Sequence, residues 1–576
     1  MEQADDRLNH APWPMRALVL AALGAVSGFA FYHLTNGDQT QLDGALAALV
    51  AIFGIALAFS LERLRWQWSV GFAASGAVVA ALIAWWNGSP DGWNADDGWH
   101  FAAALAAVAI AIPLFQAARD EGRLRVVSAA VHAHAWTNII LGGAAIAFTG
   151  ATMLLAFLLS QLFGLIGVYF LRDLLREGWF AVALAGAAAG GAIGLLRDRD
   201  VMTSVLQRVG RTILSVLAPV LAAGLVFFVL ALPFTGLDAL WEQTKATTPI
   251  LLACMIGAVI LTNAIAGNSA QDEAKASALR WSAMALIASI APLAAVATVS
   301  TGQRIVQHGF TPDRLWAAVF VAIAVAVALG YAWALFRGRS AWPTPLRAIN
   351  VRLAAGICLL ALFLALPIVS FGALSTRDQV ARLESGRIPV ERFDWAALGF
   401  DFGEGGRDAL KRLQTHRNPA IAARANAVAK AETRWDAQSP EQQDTQRAVS
   451  LADRIRVLPV GTQLPLGLAA AIGEGQCKTN SPCTFFLLPG GQEALQLDDV
   501  CFPSTAGAGN LRSRWQCNPS RYVLRLGKWG VADEEAFSDA LRAKLGRGYR
   551  DGRIEIRTVP ARRVFIDGEP ASDPFN

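Results

Sequence analysis

Charged residues are scarce in this chain, and lysine is scarcer still. Only 16% of the 576 residues are Asp, Glu, Lys or Arg, whereas 54% are hydrophobic. Soluble globular proteins carry about 25% charged residues, so water is not the solvent for most of this chain. Seven of the 50 basic residues are lysines, and the formal net charge is only +5. A balance this small gives no support for nucleic-acid binding.

The sequence also lacks the common motifs of catalysis and of phosphate or metal binding. It contains no G-x-x-x-x-G-K-[ST], G-x-G-x-x-G, H-E-x-x-H or G-x-S-x-G pattern. His132 and His134 form an H-x-H pair, but residues two apart on a helix point to different faces. We interpret this pair as interfacial side chains rather than metal ligands. The sequence therefore predicts no catalytic residue, no metal site and no cofactor, and it disfavours an enzyme.

Long apolar runs fill the first two-thirds of the chain. Each has about twenty residues, enough for one helix to cross a hydrocarbon layer about 30 Å thick. The sequence therefore predicts a polytopic α-helical membrane bundle of about eleven spans. Their predicted boundaries are 15–34, 42–61, 66–86, 98–118, 137–159, 178–196, 212–234, 248–267, 281–301, 314–336 and 350–373.

The centres of these predicted spans carry no Asp, Glu, Lys or Arg. Ion-coupled transporters usually keep such groups at membrane depth. We therefore expect lipid and apolar packing, without buried ion pairs, to hold the spans together. The deepest polar residue is Asn263, next to Thr262. It is either a hydrogen-bonded amide of the core, which we favour, or a candidate intramembrane polar site.

Glycines recur at a four-residue spacing in two predicted spans. Gly24 and Gly28 form one G-x-x-x-G pattern, and Gly186, Gly190 and Gly194 form a doubled one. Small residues at this spacing let two helix backbones approach closely. With ten other spans available as partners, we favour helix packing inside one bundle over homodimerisation.

The basic residues between the spans predict the orientation. With the N-terminus in the cytoplasm, the cytoplasmic segments carry 17 Lys and Arg residues and the opposite loops carry five. Cytoplasmic loops are enriched in these residues. An odd number of spans then places the C-terminal domain outside the cytoplasm. Because the composition, rich in Arg, Ala and Gly, is typical of a GC-rich bacterial genome, we predict a bacterial inner-membrane protein with a periplasmic C-terminal domain.

The composition changes after residue 373. We predict a transmembrane helical domain at 1–373, a helical juxtamembrane segment at 374–460 and an α+β extracytoplasmic domain at 461–576. The last region combines helix-like stretches with short runs rich in β-branched and aromatic residues. The predicted fold is thus a membrane bundle followed by a soluble α+β domain.

Four of the six cysteines lie in this predicted soluble domain: Cys477, Cys483, Cys501 and Cys517. In an oxidising compartment they are expected to form two disulfides. Three pairings are open, and we favour the sequential one because it closes the shortest loops. A zinc site is the alternative, but zinc sites usually show C-x2-4-C pairs, whereas the gaps here are five and fifteen residues.

A motif lies where the membrane region meets the tail. Its residues are Phe393, Asp394 and Trp395, then Phe400 and Asp401, then Gly406 and Arg407. With the preceding multi-span region, it resembles the bacterial domain-of-unknown-function family forty-one fifty-three over roughly residues 10–415. The resemblance implies a multi-pass inner-membrane protein of no established activity, and it implies no catalytic residue. The cysteine-bearing tail is outside it.

These features lead to two hypotheses for the function, which belong to different classes of protein. We favour a cell-envelope scaffold or binding protein whose periplasmic domain meets an envelope protein or a glycan, with membrane lipids around its spans. The alternative is a transporter or flippase for an uncharged or lipid-like substrate, for which kinked, Gly-rich helices suffice. An enzyme would require an external groove into which several of a set of polar residues converge: Asp238, Glu242, Arg304, His308 and Asp313.

Overall fold

The structure is a computed structural model of the whole chain. It describes residues 13, 15–93, 95–122, 128–198, 200–236, 247–438, 455–458, 462, 464–472, 483–488, 491–498, 520–525, 527–531, 565–566 and 569–570. These residues form two compact units. One extends to Phe393 and includes Ala397–Ala422, and the other comprises Asp394–Ala396 and the described residues from Ala423 onward.

Among the described residues, the first unit contains 11 helices that are long and apolar enough to cross a membrane, which confirms the predicted number of spans. The long helices are α1 (Arg16–Thr35), α2 (Gln41–Ser60), α3 (Trp66–Trp86), α4 (Ala95–Glu121), α5 (Ser128–Leu165), α7 (Gly178–Arg197), α8 (Asp200–Thr235), α9 (Thr247–Ala266), α10 (Ser277–His308), α11 (Pro312–Gly338) and α12 (Pro343–Ala365). A short helix, α6 (Phe170–Arg176), precedes α7.

Local sequence signals explain several helix boundaries. Thr40 and Asp43 form a reciprocal capping box at the start of α2, which satisfies backbone N–H groups that the first turn leaves unpaired. Pro312 is the first residue of α11, behind the capping hydroxyl of Thr311. Proline is tolerated there because its missing N–H would have no helical partner.

Two groups of helices form the main cores of the bundle. In one group, α1 packs along α7 and α2 packs along α3. In the other, α10 lies between α9 and α11 and also contacts α8, and Leu286, Ile290 and Ala297 of α10 are fully buried. Helix α12 packs along α4. We call the end of the bundle that carries Arg16, Arg119, Arg197 and Arg347 the arginine-rich end.

Shorter helices follow the last span. They are α13 (Phe371–Glu384), α14 (Gly403–Leu413) and α15 (Pro419–Ala429), with a π-helical turn at Ala397–Asp401. The predicted domain boundary after residue 373 therefore falls inside α13. An added Cβ at Gly372 would lie 2.4 Å from the carbonyl oxygen of Phe402, so the absence of a side chain lets the start of α13 approach the chain just before α14.

The second unit contains a small sheet. Its strands are β1 (Ile455–Leu458), β2 (Cys483–Leu487), β3 (Glu493–Asp498), β4 (Ser520–Arg525) and β5 (Lys528–Val531), with helix α16 (Leu466–Ala471) between β1 and β2. They pair in sequence order, β1 with β2 in parallel and the others antiparallel. A separate two-stranded pair joins β6 (Phe565–Ile566) to β7 (Glu569–Pro570).

The core of this sheet is built around Phe485 and Tyr522, which are both fully buried. The Tyr522 hydroxyl donates a hydrogen bond to Gln496 Oε1 at 2.9 Å. Burial raises the pKa of the Tyr522 hydroxyl above its ordinary value, which favours the protonated form that donates this hydrogen bond. Of the four tail cysteines only Cys483 lies among the described residues, buried at the start of β2. Cys477, Cys501 and Cys517 lie outside them, so the pairing stays a prediction.

Candidate functional site

The glycine seam between α1 and α7 brings two helix backbones into direct contact. A Cβ on Gly24 would lie 2.0 Å from the Gly186 carbonyl oxygen, and one on Gly190 would lie 2.0 Å from the Leu20 carbonyl oxygen. The predicted glycines Gly28 and Gly194 continue the same seam, against the backbones of Val182 and Ala17 respectively. The structure thus places both G-x-x-x-G patterns against each other within one chain.

Beside this seam lies a cavity of about 620 Å³ between α1, α2, α5 and α7. Apart from Ser27 and Thr149, which are polar, its lining consists of Gly, Ala, Val, Leu, Ile and Phe residues. Along α1 it extends from Leu20 to Phe31, which is about 16 Å at 1.5 Å per helical residue. We call this cavity the first groove.

A cluster of ion pairs lies one helical turn beyond Leu20. Glu62 joins two helices, because one carboxylate oxygen lies 2.6 Å from Arg16 Nη2 and the other 2.6 Å from Arg197 Nη2. Asp198 adds a contact of 3.5 Å to Arg16 Nε. The Arg16 and Arg197 side chains are only 6% and 9% exposed. The charges therefore connect the ends of α1 and α7 at the arginine-rich end.

The same cluster caps the C-terminus of α2. Arg197 donates to the carbonyl oxygens of Ala58 and Phe59, at 3.2 and 2.6 Å. Arg119 and Ser69 donate to the Ser60 carbonyl oxygen. A helix leaves its last four carbonyls unpaired and carries partial negative charge there. Buried guanidinium groups therefore meet both the hydrogen-bonding and the electrostatic needs of this end.

These contacts correct the expectation that no buried ion pair joins the spans. That expectation rested on the span centres, whereas the pairs lie at the helix ends. Arg347 of α12 is a second case, since it is 7% exposed, lies 2.9 Å from Glu273 and donates to the Ala266 carbonyl oxygen. The sequence signal was present as loop arginines, but a loop charge and a buried charge look alike without the fold.

Asn263 is part of a polar network between four helices. Its Nδ2 donates to the Tyr331 hydroxyl oxygen at 2.8 Å and to the Val259 carbonyl oxygen at 2.8 Å. Its Oδ1 accepts from Asn350 Nδ2 at 2.6 Å, and that amide also lies 3.2 Å from His132 Nε2. The network links α5, α9, α11 and α12 in the half of the bundle nearer the arginine-rich end.

The two histidines of the H-x-H pair face different partners. His132 meets Asn350 as above, and His134 Nε2 lies 2.8 Å from Asp120 Oδ2. Within the part of the chain that the structure describes, no group of three or more His, Cys, Asp or Glu residues is placed to hold a metal ion.

At the opposite end of the bundle, Asp96 ties three elements together. Its Oδ1 accepts from Trp316 Nε1 and its Oδ2 from the Gly372 backbone N–H, both at 3.1 Å. His100, one turn along α4, lies 3.7 Å from Asp96 Oδ2 and makes a 2.6 Å contact with the Leu364 carbonyl oxygen. Asp96 and His100 are not among the predicted site residues, because Asp96 precedes the predicted span. A carboxylate directly before a span was the only signal.

The structure describes three of the five residues that an external catalytic groove would require. His308 and Asp313 are exposed at the end of α10 and the start of α11, and Arg304 is half-buried on α10. Asp238 and Glu242 lie outside the described residues.

Part of the motif at the end of the membrane region is buried and takes part in packing. Phe393 and Trp395 are each 1% exposed, whereas Asp394 and Arg407 are exposed and Phe400 and Asp401 are half-buried. A Cβ on Gly406 would lie 2.2 Å from the Leu398 carbonyl oxygen. The absence of a side chain at Gly406 thus lets α14 lie against the preceding π-helical turn.

Comparison with known proteins gives one match. A family model described as "Domain of unknown function (DUF4153)" matches residues 20–412, which include all the long helices except the first residues of α1. Neither the curated proteins nor the solved structures contain a match to this chain.

Proposed function

We propose that this chain, which belongs to the DUF4153 family of unknown function, is a multi-pass membrane protein that binds a membrane lipid in its first groove. The observation that carries this proposal is the almost wholly apolar lining of that 620 Å³ space. Its volume falls within the roughly 300–1,000 Å³ of small-molecule sites. A lining of this kind offers a polar solute almost no hydrogen bonds, so it favours a hydrocarbon chain.

The dimensions of the groove also support an acyl chain. Its length of about 16 Å is close to half of a hydrocarbon layer about 30 Å thick. Leu20 and Phe31 are each four residues from an end of α1, so the groove runs through the middle of the layer and begins one helical turn from the arginine-rich end. Flanking ion pairs keep the helix ends together there, while the glycine seam holds α1 against α7 along the depth of the groove.

Our proposal places the protein in a bacterial inner membrane, with the N-terminus in the cytoplasm and the C-terminal unit in the periplasm. The excess of Lys and Arg in alternate loops and the odd number of long apolar helices among the described residues support this orientation. In that compartment the four tail cysteines form disulfides, and the tail binds an envelope protein or a glycan. The bundle then acts as a lipid-binding membrane anchor for this domain.

Filling the groove tests the proposal. A Cβ on Gly142 would meet only Phe59 Cζ, at an ordinary 3.7 Å, so Gly142→Leu extends into the groove without a backbone clash. Adjacent Gly143 has open space around it and does not line the groove. Gly143→Leu is therefore a matched control, with the same change on the same helix.

The measurement is native mass spectrometry of the full chain released from nanodiscs, which counts the lipids that stay bound. We expect Gly142→Leu to lose a bound lipid that the wild type and Gly143→Leu retain. Equal lipid retention by all three proteins, with equal melting temperatures, would contradict the proposal.

A further inference from the structure

A second groove lies between α11 and α12, and it shares no lining residue with the first one. It has a volume of about 340 Å³, and its lining includes Gly330 and Gly356 among apolar residues. At Gly330 the two helices are close, since an added Cβ would lie 2.8 Å from Ile349 Cγ2. Arg352 is the only charged residue in the lining.

Arg352 has no ion pair or hydrogen bond to any residue that the structure describes, and its side chain is exposed. Arg347, five residues earlier on α12, is buried and paired with Glu273. The two arginines therefore differ in kind. Arg347 joins elements of the bundle, whereas the charge of Arg352 has no partner among the described residues.

The position of Arg352 favours a membrane component. It lies five residues, or about 7.5 Å, farther along α12 than Arg347, which places it toward the hydrocarbon side of the arginine-rich end. Trp333 of α11 is 48% exposed near this level, as is common for tryptophan side chains at a membrane interface. A long arginine side chain at this depth extends toward the headgroups.

The charged residues near Arg352 also favour a negatively charged ligand. Arg337 and Arg339 are exposed at the end of α11 and the turn after it, and neither contacts an acidic group among the described residues. The carboxylate of Glu273 is already bound by Arg347. Basic pockets between transmembrane helices are suited to phosphate headgroups, and a guanidinium binds phosphate through parallel hydrogen bonds.

We propose that Arg352 binds the phosphate of an anionic phospholipid whose acyl chain lies in this second groove. The apolar lining is what selects a lipid over a free phosphate ion. This site stands on observations independent of the first groove, and it adds a headgroup class that the first groove does not specify. The lipid that it binds belongs to the leaflet at the arginine-rich end, on whichever side of the membrane that end lies.

The test measures phosphatidylglycerol retained by the full chain in phosphatidylcholine nanodiscs that contain increasing fractions of phosphatidylglycerol. Arg352→Gln removes the charge, and Arg352→Lys keeps it. Arg63→Gln is the matched control, because Arg63 is also exposed near the arginine-rich end and unpaired among the described residues. We expect about fivefold weaker retention in Arg352→Gln, with little change in Arg352→Lys or Arg63→Gln.

Two further arms distinguish a lipid seated in the groove from a free phosphate ion and from a general attraction of anionic lipid to basic residues. Gly356→Leu fills this groove from an open position, and Gly150→Leu makes the same change at an open position on α5. We expect Gly356→Leu, but neither Gly150→Leu nor Gly142→Leu, to lower phosphatidylglycerol retention. Competition by millimolar inorganic phosphate, equal loss in Arg63→Gln, or unchanged retention in Arg352→Gln at an unchanged melting temperature would each overturn the proposal.

Discussion

Gly190 and Gly191 are neighbours on α7 with opposite tolerance of a side chain. A Cβ on Gly190 would lie 2.0 Å from the Leu20 carbonyl oxygen, whereas one on Gly191 would lie 3.5 Å from the Ala21 Cβ. The first distance cannot occur without moving a helix backbone. The second is an ordinary van der Waals contact.

We therefore expect Gly190→Ala to destabilise the bundle by about 1–3 kcal/mol through overpacking. Gly191→Ala should change stability little or increase it slightly, since alanine favours the helix by roughly 1 kcal/mol over glycine. Thermal unfolding of the purified full chain in detergent measures both. Equal melting temperatures for the two variants would show that the seam is not as tight as the structure has it.

At the scale of elements, Asp96 connects α4 with α11 and with the start of α13. It uses one carboxylate oxygen for the Trp316 indole and the other for the Gly372 N–H. Gly372 is in the first turn of α13, whose backbone N–H groups have no partner within the helix. The carboxylate therefore acts as a cap supplied by a distant element.

Asp96→Asn tests this connection with almost no change of shape. An amide has one acceptor oxygen and one donor NH2, so one of the two hydrogen bonds becomes a donor facing a donor. We expect a cost of about 1–3 kcal/mol and faster amide hydrogen exchange in α13. Asp313→Asn is the control, because Asp313 is exposed in the first turn of α11. Unchanged exchange in α13 would mean that Asp96 does not hold its N-terminus.

At the scale of the whole molecule, topology decides where the second unit works. We expect a fusion of alkaline phosphatase to Asn576 to be active and a fusion of green fluorescent protein at the same residue to be dark, because the former needs the periplasm and the latter the cytoplasm. Fluorescence without phosphatase activity would reverse the proposed orientation. It would also remove the reason to expect disulfides among the tail cysteines.

The number and approximate positions of the long apolar helices could be read from the sequence, although some ends moved, since the span predicted at 350–373 is the helix Pro343–Ala365. The spans predicted at 42–61, 66–86 and 178–196 correspond to helices Gln41–Ser60, Trp66–Trp86 and Gly178–Arg197. The reason is physical, since the thickness of the hydrocarbon layer sets the length of each span and the cost of unpaired backbone groups makes it helical. Both constraints act on consecutive residues and need no knowledge of neighbours.

The sites followed from the sequence only in part. The glycine spacing in α1 and α7 predicted close helix contact, and the structure shows which helix meets which. Glu62 lies between Arg16 and Arg197 because α1, α2 and α7 come together, and their separation along the chain hides this. The unpaired state of Arg352 and the paired state of Arg347 likewise depend on which faces of α12 are covered. Local composition thus determined the 11 long apolar helices among the described residues, whereas burial, charge pairing and the grooves were decided only by long-range packing.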